Sequence, residues 1–301
     1  GHEQSQPRGH RRRLSRHGRR RDAFGVTYSV VARDDATGEL GVAVQSHFFS
    51  VGSVVSWARP GVGAVATQSM ADITYGPLGL ELLAGGRGAT DALAGLLAAD
   101  EGRASRQVAI VDAGGDVAVH TGSACIPDAG HRTGDGFSVQ ANMMARATVW
   151  DAMAEAFATA TGDVADRMLA ALDAAEAEGG DIRGKQSAAL VVVSGDRTRP
   201  WWERVLDVRV DDSLDPLAEL RRLVGLNRAY AGRGTPDALG ANPELRFWQA
   251  MRLVHEGHVD EARASLDRIY AVHDGWRELV RRLPASGRLP DDPELIARLT
   301  Q

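Results

Sequence analysis

The sequence contains a single cysteine, a single lysine and no long hydrophobic run. Cys125 has no second cysteine to pair with, so an intrachain disulfide is excluded and a reducing compartment, the cytoplasm, is expected. No apolar stretch approaches the roughly 18 to 20 residues that cross a bilayer, so we expect no membrane partner. The remaining composition, 44% hydrophobic and 25% charged, is typical of a folded protein with ample material for a core.

Charge is distributed unevenly along the chain. Residues 1–26 contain eight arginines against Glu3 and Asp22, a net charge of +6, so the whole-chain value of −5 leaves −11 for the rest. An acidic body of this kind argues against nucleic acid as the main partner.

Residues 1–26 are expected to be a disordered, arginine-rich leader, because they contain too few apolar residues to bury. The RRRLS stretch lacks the apolar segment of a twin-arginine export signal. Three origins stay open: upstream sequence included through a wrong start site, an expression-vector remnant, and a nucleic-acid arm. A wrong start site or a vector remnant is favoured, since the first methionine is Met70 and Val26 fits a GTG start codon. Trimming after such a start would leave Thr27 with a free α-amine.

From Thr27 to residue 211, the apolar patterning predicts strands that arrive in groups and helices that arrive in pairs. Strands connected by hairpins exclude a doubly wound parallel sheet, and paired helices favour two antiparallel sheets packed face to face with helices outside. We therefore expect an α+β fold, a four-layer αββα sandwich. The predicted strands are 28–34, 39–46, 53–59, 61–69, 106–115, 116–122, 136–144, 187–196 and 203–212, and the predicted helices are 75–86, 89–102, 147–161 and 164–180.

Residues 212–301 contain helical patterns and no strand-like run, which predicts a small all-α C-terminal domain. Its middle pair of helices, with Ala250, Leu253, Gly257, Ala262 and Leu266, is close to a tetratricopeptide-type pair. Only one convincing copy is present, so a solenoid is not expected.

Three segments carry a resemblance to a known family: residues 27–83, the ACIPDAGHRTGDGFSVQANMM stretch and the GGDIRGKQSAALVVV stretch. Together they resemble the domain of unknown function 1028 family, which has an N-terminal-nucleophile (Ntn) hydrolase-like fold and no settled substrate. Two features depart from the family pattern. His47 stands where a lysine is expected, and the helical tail resembles a tetratricopeptide pair rather than a peptidoglycan-binding module.

The resemblance implies that Thr27 is the nucleophile of a hydrolase. A threonine hydroxyl is activated in this fold class by the residue's own α-amine, whose ordinary pKa is near 8. Thr27 has that amine only as the first residue of the chain, so the leader would have to be absent or removed. Ser29 shares the strand face of Thr27 and is the fallback nucleophile. The alternative is that Thr27 is simply a β-branched residue that begins a strand.

The single lysine is the second candidate. Of the 35 basic residues 34 are arginine, and a guanidinium cannot replace an amine whose pKa must shift. Lys185 is expected to lower the pKa of the Thr27 amine or to anchor a substrate carboxylate, although chance retention is an open alternative. Asp181 is expected to hold the free amine in place, and Gln186 to contact substrate.

By comparison with related hydrolases, His47 falls where proteasome subunits carry an active-site aspartate, and it is a candidate for proton transfer. Asn142 lies on the strand from which several Ntn amidases supply an oxyanion donor. Gln68, Ser69 and Gln140 are expected to contact substrate beside Ser29. His47 is equally compatible with a surface position at the end of a strand.

Cys125 and His131 form a weaker alternative, a thiol nucleophile with its base, although a lone cysteine is usually a small buried apolar residue. The spacing of Asp, Glu and His matches no metal motif, and no phosphate-binding glycine loop is present, so no metal and no cofactor are expected.

Two functions remain in competition. The first is a cytoplasmic bacterial Ntn amidohydrolase, a homodimer, that cleaves an amide in a small molecule or short peptide through a Thr27 acyl-enzyme. The second is a non-catalytic scaffold of the same fold whose helical tail binds a partner protein or cell-wall material.

Overall fold

The computed structural model describes residues 23–25, 27–233 and 242–301. Within these residues the chain folds into an α+β structure whose strands form two sheets, and every strand pair is antiparallel, as the sequence predicted. The first sheet has the order β1-β5-β6-β7, with β4 also on β5: β1 Ala23–Gly25, β4 Ser56–Arg59, β5 Gly63–Ala71, β6 Arg106–Asp112 and β7 Val117–Thr121.

The second sheet is built around a hairpin formed by the predicted strands 28–34 and 39–46. Asp34 closes its turn by accepting hydrogen bonds from the backbone N–H groups of Ala36 and Thr37, and Gly38 supplies the left-handed φ of +73°. The sheet has the order β11-β10-β3-β2-β9-β8: β2 Thr27–Arg33, β3 Leu40–Ser46, β8 Gly130–Gly134, β9 Phe137–Asn142, β10 Ser187–Val193 and β11 Leu206–Val210.

An apolar core lies between the two sheets. Val31 and Val42 from the second sheet pack in the same cluster as Ala64 and Val111 from the first, and all four are buried. Every second side chain of a strand therefore packs against the facing sheet, and the side chains between them point to the outer face.

Paired helices cover those outer faces. The helices α2 (Tyr75–Ala84) and α3 (Ala89–Ala99) bury their apolar residues against the first sheet. The helices α4 (Val149–Thr159) and α5 (Val164–Ala177) do the same on the second sheet. Asp163 caps α5 by accepting a hydrogen bond from the Asp166 backbone N–H.

The helical tail begins later than predicted. Helix α6 (Pro216–Tyr230) places Leu217, Leu220 and Val224 in the core on the second sheet, so it belongs to the β-containing domain rather than to a domain 212–301. A separate core of tail residues joins four further helices of the described part of the chain: α7 Pro243–His255, α8 Val259–Tyr270, α9 Gly275–Arg282 and α10 Pro293–Thr300. Over residues 212–233 and 242–301 the structure contains no strand, as predicted.

Three local differences from the sequence analysis are found. Residues 53–55, predicted as the start of strand 53–59, lie instead in a short helix α1 (Gly52–Val55). Strand β8, which has no apolar alternation, was missed. The leader was expected to be disordered, but Ala23–Gly25 pair with β5 as a strand. Backbone pairing to a sheet edge needs no apolar side chain, so composition gave no signal of it. The rest of the leader, residues 1–22 and 26, lies outside the described residues. Among the described helices, none combines the length and the apolar character that crossing a membrane requires.

Candidate functional site

Thr27 begins β2 and lies between the two sheets. It pairs with Asn142 of β9, and its hydroxyl donates a hydrogen bond of 3.3 Å to the Ser46 hydroxyl at the end of β3. Thr27, Ser46 and Asn142 are at most 1% exposed. The hydroxyl is therefore enclosed, and no substrate reaches it in this state.

The chain changes sheets immediately before Thr27. Gly25 pairs with Ser69 in the first sheet, and Thr27, two residues later, pairs with Asn142 in the second. In this state the Thr27 nitrogen is a peptide amide rather than an amine. The predicted base is thus absent as long as the preceding residues are attached.

Two residues beside this crossing have unusual backbone conformations. Ser69, opposite Gly25, has φ +69°, and Met143, directly after Asn142, has φ +55°. A left-handed φ is uncommon for residues other than glycine and is enriched at functional sites. Ser69 pairs with Gly25, and Met143 directly follows the residue that pairs with Thr27. Both therefore lie beside the point where the chain changes sheets.

The Thr27 carbonyl is held by two amide side chains. Gln68 Nε2 donates to Thr27 O at 3.1 Å and Asn142 Nδ2 donates to the same oxygen at 3.3 Å. Asn142 Nδ2 also donates to Gln107 Oε1 at 3.0 Å, so both of its protons are used. In this arrangement Asn142 holds the backbone of Thr27 and has no proton left for an oxyanion.

Ser29 is part of a buried chain of hydrogen bonds between the sheets. Its hydroxyl donates to Gln68 Oε1 and accepts from Gln140 Nε2, both at 2.6 Å. Gln140 Oε1 accepts in turn from the Ser138 hydroxyl at 2.9 Å. All four residues are fully buried, so the predicted fallback nucleophile and two predicted substrate contacts are engaged with one another.

Asp181 lies at the end of the second sheet near Ser46. Its carboxylate accepts from the backbone N–H of His47 at 3.0 Å and forms an ion pair of 3.0 Å with Arg183. The Asp181 side chain is fully buried, whereas His47 is exposed. Asp181 therefore fixes the segment directly after Ser46, and its interaction with a free Thr27 amine stays a prediction.

Lys185 lies on the other side of the second sheet. Its ammonium group is 3.3 Å from Asp215 and 3.9 Å from Glu176. Glu176 accepts from the hydroxyl of Tyr28, whose side chain points to the face opposite Thr27. The sheet thus separates Lys185 from the Thr27 hydroxyl. Gln186 donates a hydrogen bond to Asp212. Their predicted roles stay predictions.

Cys125 and His131 have separate partners. The Cys125 thiol contacts the backbone oxygen of Arg106 at 3.4 Å, and His131 Nδ1 is 2.8 Å from the Thr121 hydroxyl. Burial, with smaller effects from His120 and Arg132, holds the pKa of His131 below its ordinary value. The geometry does not pair the two residues as nucleophile and base.

Sequence reasoning missed Gln107, Ser46 and Arg183. Gln107 is a fully buried glutamine in the middle sheet strand β6, where its neighbours Val108 to Val111 are apolar. A polar residue within a buried strand is the available signal, but its partners lie on distant strands. Within the described residues, no group of three potential metal-ligating side chains is found.

Comparisons with known proteins identify the family of this chain and the residue at which the match to it begins. The sequence profile of a family of unknown function, DUF1028, matches residues 27–220, so the match begins at Thr27. The chain belongs to this family. A crystal structure of a Silicibacter pomeroyi protein described with the same family is 31% identical, with a TM-score of 0.62, and the match covers 70% of this chain and 95% of that one. No curated protein matches the chain.

Proposed function

We propose that the protein is an Ntn-type amidohydrolase that cleaves an amide bond in a small molecule or short peptide, with Thr27 as its nucleophile. The observation that carries the proposal is the position of Thr27. It is the first residue of the family match, it is fully buried between the sheets, and its hydroxyl faces Ser46 directly after the chain changes sheets. The two sheets with helix pairs outside support the four-layer αββα interpretation of the fold.

The proposed enzyme becomes active when the bond between Val26 and Thr27 is hydrolysed. That step converts the Thr27 amide nitrogen into an α-amine whose ordinary pKa is about 8. It also frees strand β1, which precedes Thr27 and pairs only with β5 among the described strands. Both changes are needed, because the hydroxyl in the present state has neither a base nor access to solvent.

The reaction then follows nucleophilic catalysis with the amine as base and acid. The Thr27 Oγ1 attacks the substrate carbonyl as the amine takes its proton, and the amine passes that proton to the leaving nitrogen as the C–N bond breaks. An ester between Thr27 and the acyl group results. Water attacks the ester with the same amine as base, which releases the acid and restores Thr27.

The surrounding residues support this reaction by placing Thr27. We assign Asn142 and Gln68 to holding its carbonyl oxygen, and Asp181 to fixing the backbone that follows Ser46. Lys185 has no step in this mechanism, because it lies on the opposite face of the sheet. A homodimer in the cytoplasm, without metal or cofactor, remains the expectation from sequence.

The second candidate is a non-catalytic scaffold. The pairing of Ala23–Gly25 with β5 favours it, because a retained leader keeps the Thr27 nitrogen as an amide. The working surface would then be the tail, whose α7 and α8 form the helix pair interpreted as tetratricopeptide-like, with Ala250, Ala262 and Leu266 fully buried.

A labelling experiment tests the first candidate. The full chain is treated with a β-lactone, whose ring carbonyl is attacked by the threonine hydroxyl so that an ester forms and the ring oxygen leaves as a hydroxyl. We expect a mass increase of one probe, mapped to Thr27, that is lost in Thr27→Ala and retained in Thr27→Ser. An adduct that persists in Thr27→Ala, or no adduct on parent molecules that begin at Thr27, contradicts the proposal.

A further inference from the structure

Gln107 connects the two amide groups that hold Thr27. Its Oε1 accepts from Gln68 Nε2 at 2.7 Å and from Asn142 Nδ2 at 3.0 Å, and both of those nitrogens also donate to Thr27 O. Among the described atoms, Gln107 is joined to the threonine through these two side chains and not by a hydrogen bond of its own. It lies in β6 of the first sheet, whereas Thr27 and Asn142 lie in the second.

The orientation of the Gln107 amide is fixed by its surroundings. Its Nε2 faces three oxygens: the Thr121 hydroxyl at 2.9 Å and the backbone oxygens of Gly130 and Ala141 at 3.1 and 2.9 Å. Backbone oxygens accept only, so the nitrogen must point towards them and Oε1 must point towards Gln68 and Asn142. Those two amides are consequently oriented with their nitrogens towards Thr27 O.

The Gln68 amide is also oriented by the hydrogen bond at its oxygen. Its Oε1 accepts from the Ser29 hydroxyl, so its nitrogen is turned towards Gln107 and Thr27. Gln68, Gln107 and Asn142 are at most 1% exposed, so an unpaired polar group among them is costly, and a reversed amide would leave two such groups. Gln107 on β6 thus orients the Asn142 donor and, together with Ser29, the Gln68 donor to Thr27.

We propose that Gln107 is the positioning residue that keeps Thr27 in its reactive place after the preceding residues are removed; this inference rests on the function proposed above. A new chain terminus loses its covalent anchor and tends to fray. The carbonyl of Thr27 is then the group through which the protein holds this terminal residue. Gln107 acts on it through Gln68 and Asn142, and so sets the position of the hydroxyl and the amine.

The test compares two fully buried glutamines in the full chain. Gln107→Met removes the acceptor for Gln68 and Asn142, whereas Gln45→Met changes a glutamine on the opposite face of the sheet, whose Nε2 donates to Glu176. Gln107→Asn, which draws the amide back by one methylene, is a milder second variant if the methionine variant does not fold. Two readouts are measured on the molecules that begin at Thr27: hydrogen exchange of the backbone amides at residues 28–30, and the rate of β-lactone labelling at Thr27.

We expect Gln107→Met or Gln107→Asn to speed exchange at residues 28–30 and to slow labelling about 10- to 100-fold, with the half-saturating probe concentration unchanged. Gln45→Met should leave both readouts near the parent values. Equal exchange at residues 28–30 in the Gln107 and Gln45 variants overturns the inference. If exchange rises only in the Gln107 variants but no chain is labelled, the positioning role stands and the proposed hydrolase function fails.

Discussion

The Tyr28 hydroxyl donates a hydrogen bond of 2.8 Å to Glu176 on the face of β2 opposite the Thr27 hydroxyl. Glu176 also accepts from Gln45 Nε2 at 3.1 Å, so this carboxylate joins β2 and β3 to helix α5. Burial first, and then Glu176, raise the pKa of Tyr28 well above its ordinary value. Adjacent residues of β2 therefore have different roles: Tyr28 connects the strand to helix α5, and Thr27 faces the candidate site.

Tyr28→Phe is expected to lower the free energy of unfolding by about 1 to 2 kcal/mol, because it removes a buried donor to a charged acceptor and keeps the ring in place. Urea denaturation measures the change. Tyr230→Phe is the matched control, since Tyr230 donates to Glu244 at the same distance of 2.8 Å but is 49% exposed. Its expected effect is below about 0.5 kcal/mol. Equal losses in both variants would contradict this account.

Asp100 is expected to contribute stability that depends on pH. Burial alone would raise its pKa, but hydrogen bonds from Arg106, the Gly102 backbone and Tyr75 outweigh burial and hold the pKa below its ordinary value. A carboxylate with a lowered folded pKa stabilises the protein above its unfolded pKa of about 4, and this contribution is lost as pH falls through the folded value.

The variant Asp100→Asn should therefore be less stable than the parent at pH 7, by about 1 to 3 kcal/mol, and the difference should shrink as the pH falls below about 4. Asp35→Asn is the control, because Asp35 pairs with Arg33 while 71% exposed. The measurement is the free energy of unfolding of the parent and of both variants at pH 7, 4 and 3. A difference that does not depend on pH would show that Asp100 does not act through its charge.

Phe247 tests whether the tail has a core of its own. Its ring is fully buried and lies 5.2 Å from the Trp248 ring and 5.1 Å from the Trp276 ring. Phe247→Ala should destabilise the tail by about 3 to 5 kcal/mol, because it leaves a cavity among α7–α10. Hydrogen exchange should rise over residues 243–300 and stay unchanged in β2 and β3.

Trp248→Ala is the neighbouring control, since that side chain is 44% exposed and its removal leaves little cavity. Its effect on exchange in the tail should be clearly smaller. If Phe247→Ala also accelerated exchange in β2 and β3, the tail and the β-containing domain would unfold as one unit, which would contradict the separate core.

Much of the fold follows from local sequence patterns. The β2–β3 hairpin was predicted because two β-branched, apolar runs flank a short turn. In the structure Asp34 and Gly38 meet the backbone requirements of that turn. The helix pairs followed from three- and four-residue apolar spacing. Strand β8 did not, because GHRTG offers no alternation. Residues 53–55 of the short helix α1 were predicted as strand because two of them are β-branched.

The candidate site was only partly accessible to sequence reasoning. Thr27, Gln68, Gln140 and Asn142 were named before the structure and lie together in one network. Gln107 was not, because its partners come from strands of both sheets and their register is not encoded locally. Lys185 stands out because it is the only lysine of the sequence, but composition carries no information about the face of the sheet on which a residue lies.

The mass of the intact purified chain tests the central claim most directly. The account predicts a population that begins at Thr27, and it predicts that this population alone gains the mass of a β-lactone probe. If every molecule retains the residues before Thr27, or if the retained form is labelled equally well, the amine of Thr27 is not the base and the proposed hydrolase mechanism is contradicted.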